Sequence, residues 1–496
     1  MNDVGLRQKA PNPTYDIHNS FKFFDGKDSA LRYLIFYCIT PALLAGCINY
    51  HGMRNHVVPL NFQTLSTHHQ YTIPPNQHTS GNAWWLKFHD AQLNQLICVA
   101  LHASPTMQSA GSRLQKAIYL TKETASSEWP YLDISGYRQR QRFSQYGLVP
   151  PPFNGETFNI TDLGLNFNYE FDFWGKNYHM VAASVNEQFA ANADAAEANL
   201  VISSTVASLY FQLQNVTAQL NIANQIRDQQ NEILKIMQQK NQRGILSDIN
   251  LTTAISNKET AISNVIKIRE TRKRLLNQLA VLMGKNPANT DITINTLHYL
   301  PIELPQFIPA NLLGQRPDIR ASCLRVKAAA NQIRSAKARF YPNINLNAFF
   351  SYQSIIFGKF FNPASQNNAI SAAFDLPIFD AGARRANLGI RYAEYDLAVS
   401  SYNQAILVAL REVTDQLAIL KSLQSQLVSH NIALHATQRK YKLTQLNYKN
   451  GIVDYTELLK VKNNYLNDQS KHIELQTQHL QAMVAMMKAL GGHDHG

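Results

Sequence analysis

Cysteine and histidine are the side chains here best suited to metal binding or catalysis, and their spacing argues against both. The chain has four cysteines and contains neither a CxxC nor an HExxH arrangement. The histidine-bearing tail, residues 492–496, is typical of a frayed terminus. Cys98 and Cys323 are predicted to be buried as small apolar residues, with a disulfide between them as the alternative. We therefore expect no metal, no cofactor and no enzymatic activity.

Cys47 is a candidate for lipid attachment. It follows Arg32 and an apolar run that ends in Leu-Ala-Gly at residues 44–46. A positive flank, a short apolar segment and small residues before the cut describe a secretory signal. The Leu-Ala-Gly-Cys ending resembles a bacterial lipoprotein signal, in which residues 1–46 are the signal region and Cys47 carries the lipid. Because Ile48 rather than an aspartate follows, the resemblance implies the outer membrane. An ordinary cleaved signal with a chance cysteine is the alternative.

The formal net charge of +12 raises the question of a nucleic-acid partner. The positive residues are scattered among glutamine and asparagine along helical stretches, without interleaved aromatic residues. This distribution is typical of solvated helix faces, so we expect no nucleic-acid binding. A basic surface that faces anionic lipid or an acidic partner is the alternative.

The sequence repeats itself, which constrains the fold more than any single motif does. Three glycines recur 207 positions later, namely Gly175, Gly244 and Gly284 as Gly382, Gly451 and Gly491. Three earlier landmarks recur 212 positions later, namely Pro105, Arg113 and Pro130 as Pro317, Arg325 and Pro342. We predict two equivalent halves, repeat 1 over residues 90–310 and repeat 2 over residues 311–491, with a surface loop where the offset changes.

The first half contains a strand pattern. Residues 163–173 alternate between apolar and polar side chains, which predicts a β-strand with one apolar face. Residues 131–143 are its expected partner, and they are less regular. They carry three arginines on one face, Arg138, Arg140 and Arg142.

The second half contains a matching strand pattern. Residues 344–352 and 370–378 alternate in the same way. We therefore predict two strand hairpins, at about 131–174 and 343–379, with the apolar face outward and long enough to cross a bilayer when tilted. Half-buried strands of a sandwich are the alternative for each strand alone.

A long helical tract follows each predicted strand hairpin. Residues 176–243 contain no proline or glycine, and residues 383–450 contain no proline and one glycine. At about 1.5 Å per residue, each tract spans roughly 100 Å. Gly244 and Gly451 then break the helix and return tracts follow. The predicted helical hairpins are 176–284 and 383–491, and the remaining segments are an extended arm at 47–89 and a linker at 285–310.

These elements cannot form a closed membrane structure from one chain. Four strands do not close a barrel, and open strand edges are not tolerated in lipid. About eight strands are the smallest number that closes. Two chains would supply eight strands, whereas three would supply twelve and leave an open lumen. The long helices also have narrow apolar stripes that need neighbours on both sides. Both arguments predict a ring of subunits.

Four segments carry a resemblance to a known family. They are Trp84–Asp90 with Leu93, Tyr169–Lys176, Arg316–Arg320 with Phe340–Pro342, and Gly451–Tyr455 with Leu458 and Leu459. They resemble the outer-membrane factor (TolC-like) efflux channels, in the NodT-like lipoprotein branch. The resemblance covers roughly residues 44–491. It implies an α+β membrane protein, a homotrimer in which a twelve-stranded transmembrane β-barrel is continuous with a twelve-helix periplasmic α-barrel.

The same resemblance assigns roles to the turns between the long helices. It places adaptor docking at Gly244, Ile245, Leu246, Gly451, Ile452 and Val453, and the gate at Asp248, Tyr448, Lys449, Asp454, Tyr455 and Lys460. Tyr448 and Lys449 stand where the family keeps residues that tie neighbouring helices closed. Lys460 departs from the family, which commonly has an acidic residue directly after the paired leucines. Asp248 and Asp454 therefore become the candidates for an acidic constriction. A solvated helix-end side chain is the alternative at each gate position.

The function implied is a passive exit duct in the outer membrane. It would be anchored by lipid, with its helical tunnel in the periplasm, and would export drugs or other small toxic compounds. Its partners would be a periplasmic adaptor and an energised inner-membrane transporter, together with outer-membrane lipid. A type I protein-secretion duct is the alternative, and a structural coiled-coil lipoprotein is a weaker one.

Overall fold

The computed structural model describes residues 53–60, 83–289, 292–295, 299 and 314–492. Cys47 and the predicted signal region lie outside these residues, as do most of the predicted linker and the tail beyond Gly492. Of the predicted N-terminal arm, residues 53–60 run along a long helix of the second half. There the backbone N–H groups of His56 and Val57 donate to the carboxylate of Asp396 at 3.1 and 3.2 Å.

The two halves of the chain contain the same series of elements. The first half has α1 (Ala91–Ala103), α2 (Pro105–Ala125), β1 (Tyr131–Arg142), β2 (Thr157–Phe171), α3 (Lys176–Gln242) and α4 (Asp248–Leu282). The second half has α5 (Pro317–Ala338), β3 (Asn343–Ser354), β4 (Gln366–Asp375), α6 (Ala383–Lys449) and α7 (Tyr455–Ala489). In each half a helix leads into a strand hairpin, and a long helix and a return helix follow.

The four strands form one antiparallel sheet in the order β1-β2-β3-β4. Ile134, Leu165 and Phe350 lie side by side in register, so one face of the sheet is apolar. The opposite face is polar, and there the side-chain amide of Asn166 donates to Asp133 at 2.9 Å. Among the described residues, β1 and β4 each pair with one strand, so both outer edges of the sheet are open.

Two strand boundaries differ from the sequence expectation. β2 begins at Thr157, before the alternating residues 163–173, because its first residues pair with the last residues of β1, Thr157 with Arg142. β4 covers Gln366–Asp375 and not residues 370–378. Pro377 lies just beyond its end, and proline has no N–H to donate to a strand ladder.

The long helices set the dimensions of the molecule. α3 and α6 have 67 residues each, or roughly 100 Å. The return helices α4 and α7 have 35 residues each, or roughly 50 Å. Both are shorter than the predicted return tracts, because the turn residues at each end are not helical. No helix in the described part of the chain combines the length and the hydropathy needed to cross a membrane.

The main core lies beside the middle of α3, where helices from both halves meet. Trp84, Tyr210, Leu279 and Met483 are fully or almost fully buried there. The indole N–H of Trp84 donates to the hydroxyl of Ser203 at 3.2 Å. These contacts fix the N-terminal helices against α3, α4 and α7.

Asp90 and Arg316 tie the ends of helices to this core. Asp90 caps α1 and accepts a hydrogen bond from the hydroxyl of Tyr210 at 2.7 Å. Arg316, which is 5% exposed, contacts Asp318 and Glu412, each at 2.8 Å. It also donates to the carbonyl oxygen of Ala489 at 3.0 Å. One buried guanidinium therefore joins the start of α5 to α6 and to the end of α7.

The prediction that both remaining cysteines are buried is wrong. Cys98 is exposed and Cys323 is partly buried, and both are free thiols. Cys98 lies on α1, whose buried residues are Leu93, Leu96, Ile97 and Ala100. At 100° per residue, position 98 lies on the side of the helix opposite that stripe and faces solvent.

Gly284 is expected to be less tolerant of substitution than Gly244, although both have a left-handed backbone, with φ of +66° and +71°. A Cβ at Gly284 would overlap the carbonyl oxygen of Ala103, whereas a Cβ at Gly244 would meet no atom within 4 Å. Gly244→Ala carries the left-handed cost alone, about 1–2 kcal/mol. Gly284→Ala adds a backbone clash, so its thermal midpoint by circular dichroism should be several degrees lower. Equal midpoints would show that α1 shifts without cost.

Candidate functional site at the helical tips

The turns between the long helices have nearly identical geometry in the two halves. At the first tip, the N–H of Ile245 donates to the carbonyl of Lys240 at 2.9 Å. At the second, the N–H of Ile452 donates to the carbonyl of Asn447 at 2.8 Å. Gly244 and Gly451 supply the positive φ that such a helix end requires, +71° and +73°. The chain therefore reverses sharply at both tips.

Apolar side chains project from both tips into solvent. Ile245 and Ile452 are each 68% exposed, and they occupy equivalent positions after the tip glycines. Leu246 and Val453 are partly buried beside them. An exposed isoleucine at each helix turn keeps apolar surface in contact with water. A partner protein that covered these side chains would remove that surface from water, which is favourable.

An ion pair joins the two tips to each other. The ammonium of Lys240, in the last turn of α3, lies 3.2 Å from a carboxylate oxygen of Asp454, which precedes α7. Both side chains are well exposed. Asp454 is also the cap of α7, because it accepts from the N–H of Glu457 at 2.8 Å. This contact links the tip of repeat 1 to the tip of repeat 2.

A second contact joins the same two hairpins. The hydroxyl of Tyr455, at the start of α7, donates to the carboxylate of Glu232 on α3 at 3.1 Å. The ring of Tyr455 also packs against Tyr448, with centroids 5.2 Å apart. Tyr455 therefore connects its own hairpin to the neighbouring one.

Other predicted gate residues take no part in these contacts. Asp248 accepts a hydrogen bond from Asn241 at 2.9 Å, within its own turn. Lys449 and Lys460 are exposed, and in the part of the chain that the structure describes neither pairs with a carboxylate. The structure thus brings Asp454 and Tyr455 together with residues of the other repeat, and leaves Asp248, Lys449 and Lys460 apart.

Sequence reasoning missed Lys240 and Glu232. Both lie on the helix before the first tip, and the repeat offset gives them no matching charge, because Asn447 and Arg439 stand at the equivalent positions. The sequence signal that could have found them is their distance from the tip glycine, counted in helical turns. Lys240 precedes Gly244 by about one helical turn, and Glu232 by about three, so both face the same side of α3 near its end.

Hydrogen bonds hold the pKa of Asp454 below its usual value. The largest cause is the hydroxyl of Thr456, followed by the N–H of Glu457 and then the contact with Lys240. A carboxyl with a lowered pKa stabilises the folded state above its unfolded pKa, near 3.9. That contribution is lost as the pH falls through the folded value. Asp454 is therefore ionised and paired with Lys240 at neutral pH, and the pair weakens only in strong acid.

The described residues contain no group of three or more histidine, cysteine or carboxylate side chains that could hold a metal ion. The tips present exposed apolar side chains, two inter-hairpin contacts and exposed lysines. Exposed apolar side chains of this kind suit a protein contact.

Comparison with known proteins identifies the family. The profile of the outer membrane efflux protein family matches residues 96–285 and 308–492. The chain belongs to the outer membrane efflux protein family. The two matched segments correspond to the two repeats, each with its strand hairpin and helical hairpin.

Individual members of the outer membrane efflux protein family align over most of the chain. The multidrug resistance outer membrane protein MdtQ of Escherichia coli O157:H7 is 29% identical over 467 residues, which cover 91% of this chain and 96% of MdtQ. The multidrug resistance outer membrane protein MdtP of E. coli K12 is 25% identical over 418 residues, 82% of this chain and 86% of MdtP.

A solved structure supports the same assignment at the level of the fold. The outer membrane protein VceC of Vibrio cholerae superposes with a TM-score of 0.73 and 28% identity, over 83% of this chain and 98% of VceC. The efflux family therefore accounts for the strand hairpins and the long helices together.

We propose that the Lys240–Asp454 pair helps to hold the tips of this efflux protein closed. Asp454→Asn should raise the open probability in planar bilayers, because asparagine still caps α7 but carries no charge. An exposed ion pair contributes about 0.2–1 kcal/mol, which changes the equilibrium between closed and open tips by a factor of about 1.4 to 5 for each pair lost. Acidification through the folded pKa of Asp454 should act on the wild type in the same direction and leave the variant less affected.

Asp415→Asn is the matched control, because Asp415 is an exposed aspartate on α6 away from the tips and should leave the open probability unchanged. Asp454→Asn should also have little effect in a Lys240→Gln background. Equal effects in both backgrounds would mean that the pair does not hold the tip.

Proposed function

We propose that this protein is the outer-membrane exit duct of a tripartite efflux pump, through which drugs or other small toxic compounds leave the cell passively. Its partners are a periplasmic adaptor and an inner-membrane transporter that supplies the energy. The duct itself catalyses no reaction. The observation that carries the proposal is the open four-stranded sheet with an exposed apolar face, attached to helices of roughly 100 Å.

The open sheet edges support a trimer. In lipid, the unpaired backbone groups of β1 and β4 require further strands, and a neighbouring chain can supply them edge to edge. Three chains give twelve strands, and at that number a barrel encloses a lumen and not only packed side chains. The apolar face of the sheet then meets lipid. The polar face, with residues such as Asn166 and Asp133, lines the lumen.

The positions of the loops support one orientation in the membrane. All four strands join the helices at one end of the sheet, at Tyr131, Phe171, Asn343 and Asp375. We call this the proximal end, and the opposite end, at Arg142, Thr157, Ser354 and Gln366, the distal end. The helices belong in the periplasm, so the distal end and its loops belong at the cell surface. A lipid on Cys47 would anchor the same chain to the inner leaflet of the outer membrane.

The tips are the proposed docking site of the adaptor. They are the parts of the helical hairpins farthest from the sheet, and Ile245 and Ile452 present exposed apolar surface there. The adaptor is expected to cover these residues and to compete with the Lys240–Asp454 contact, which would couple docking to opening.

A type I protein-secretion duct would have the same architecture. The relatives MdtQ and MdtP carry names that refer to multidrug resistance, and this favours small compounds. A coiled-coil spacer lipoprotein is less consistent with the chain, since a spacer has no use for an exposed apolar sheet face with open edges.

The mature protein purified in detergent should be a trimer by size-exclusion chromatography with light scattering. The same sample should conduct ions in planar bilayers, because three sheets enclose a polar lumen. A stable, folded monomer would contradict the closure argument and the duct together. A trimer without conductance under any condition would contradict the duct alone.

Ile245→Ser and Ile452→Ser should together weaken capture of the purified adaptor by about tenfold or more, because each removes a large exposed apolar side chain. Biolayer interferometry with immobilised trimer measures this. Asn250→Ser is the matched control, since it places the same residue at an exposed polar position of the first tip. Unchanged binding in the double variant, with an intact trimer, would place the docking surface elsewhere.

A further inference from the structure

Three arginines stand in a row at the distal end of β1. Arg138, Arg140 and Arg142 alternate along the strand, and their register partners on β2 are Thr161, Asn159 and Thr157. Alternate residues of a strand share one face and lie about 6.6 Å apart, so the three Cα atoms span about 13 Å.

The register places these arginines on the apolar face of the sheet. Ile134 pairs with Leu165 on that face. Arg138 is four residues further along β1, and an even separation places both side chains on the same face. The distance along the strand is about 13 Å. Asp162 lies on the opposite face, where it accepts a hydrogen bond from Gln353 at 3.1 Å. The outward face therefore changes, within one strand, from apolar to strongly basic.

Within the described part of the chain, no carboxylate pairs with any of the three arginines. All three are exposed. Arg142 donates from Nε to the backbone carbonyl of Gly155 at 3.2 Å, a bond that orients the guanidinium without neutralising it. Among the described residues, the charges of this row are therefore available to an anionic partner.

Exposed aromatic side chains lie beside the row. The guanidinium of Arg138 is 4.8 Å from the ring centroid of Phe357, in the loop between β3 and β4. Phe357 is 63% exposed and Phe361 is 75% exposed. Phe361 packs against Phe360 with centroids 4.8 Å apart. Aromatic side chains at the rim of a membrane barrel mark the level of the lipid headgroups.

We propose that Arg138, Arg140 and Arg142 bind the phosphate groups of a bis-phosphorylated glycolipid in the outer leaflet, with Phe357 and Phe361 against its acyl chains. This rests on the proposed function, which places the distal end at the cell surface. Guanidinium groups bind phosphate through two parallel hydrogen bonds. A row of three matches a headgroup with more than one phosphate better than a zwitterionic phospholipid, whose phosphate already has a cation beside it.

The test uses the intact detergent-purified trimer and native mass spectrometry, with bis-phosphorylated lipid A as the probe and phosphatidylethanolamine for comparison. The variant R138Q/R140Q/R142Q should bind lipid A at least about tenfold more weakly than the wild type, because basic groups near anionic lipid each add to the affinity. Binding of phosphatidylethanolamine should change little.

The matched control is K267Q/R269Q/K273Q, which removes the same number of exposed charges from α4, outside the sheet. It should bind lipid A like the wild type. A parallel loss in the control, or full binding by the arginine variant, would overturn the proposal. If the triple variant does not assemble, Arg140→Gln alone should still weaken binding several-fold, and no change would count against the site.

The proposed function is checked separately on the same samples. Trimer mass in neutral detergent and conductance in a phosphatidylcholine bilayer do not depend on anionic lipid. A variant that conducts normally but has lost lipid A supports the binding site. A conducting wild type that does not prefer lipid A over phosphatidylethanolamine overturns the inference and leaves the duct intact.

Discussion

The open edges of β1 and β4 are the constraint on which the rest of the structure depends. In water an unpaired strand edge is hydrated, but in lipid each unpaired backbone group costs several kcal/mol. The sheet can enter the membrane only if another chain completes it. Because the strands continue into the helices through short connections, the proposed ring that closes the sheet would also arrange the helices around the same axis.

The core beside α3 and the helical tips differ in the kind of contact that stabilises them. The interactions that a single chain can satisfy are concentrated beside the middle of α3, around Trp84, Tyr210 and Arg316. At the tips, one exposed ion pair and one tyrosine–carboxylate hydrogen bond join the two helical hairpins. Such contacts are individually weak. In the proposed gate, loss of these exposed contacts would be the first step in separating the ends of the helices, while the core beside α3 keeps its fold.

Much of this fold could be predicted from local sequence patterns. The glycines at 244 and 451 and the alternating residues 163–173 express backbone and burial rules that act within a few residues. The Lys240–Asp454 pair could not be predicted in this way, because its partners are 214 residues apart and on different repeats. Residue type alone predicts a buried Cys98, although the helical period around this residue turns it outward. The errors occur where contacts between distant segments, or the face of a helix, outweigh residue type.

The arginine row also bears on the meaning of the overall positive charge. A net charge of +12 says nothing about location, and scattered basic residues are usually solvated helix faces. The pairing register of β1 with β2 shows where three of the basic residues lie, which composition alone does not. Because a strand alternates strictly, Ile134 on the apolar face requires Arg138, Arg140 and Arg142 to be on that face too. A basic group on a lipid-facing surface is costly at the bilayer midplane and nearly neutral at the interface. In the proposed barrel the three arginines would mark where the hydrocarbon ends, and charge at that level would favour an anionic headgroup over water.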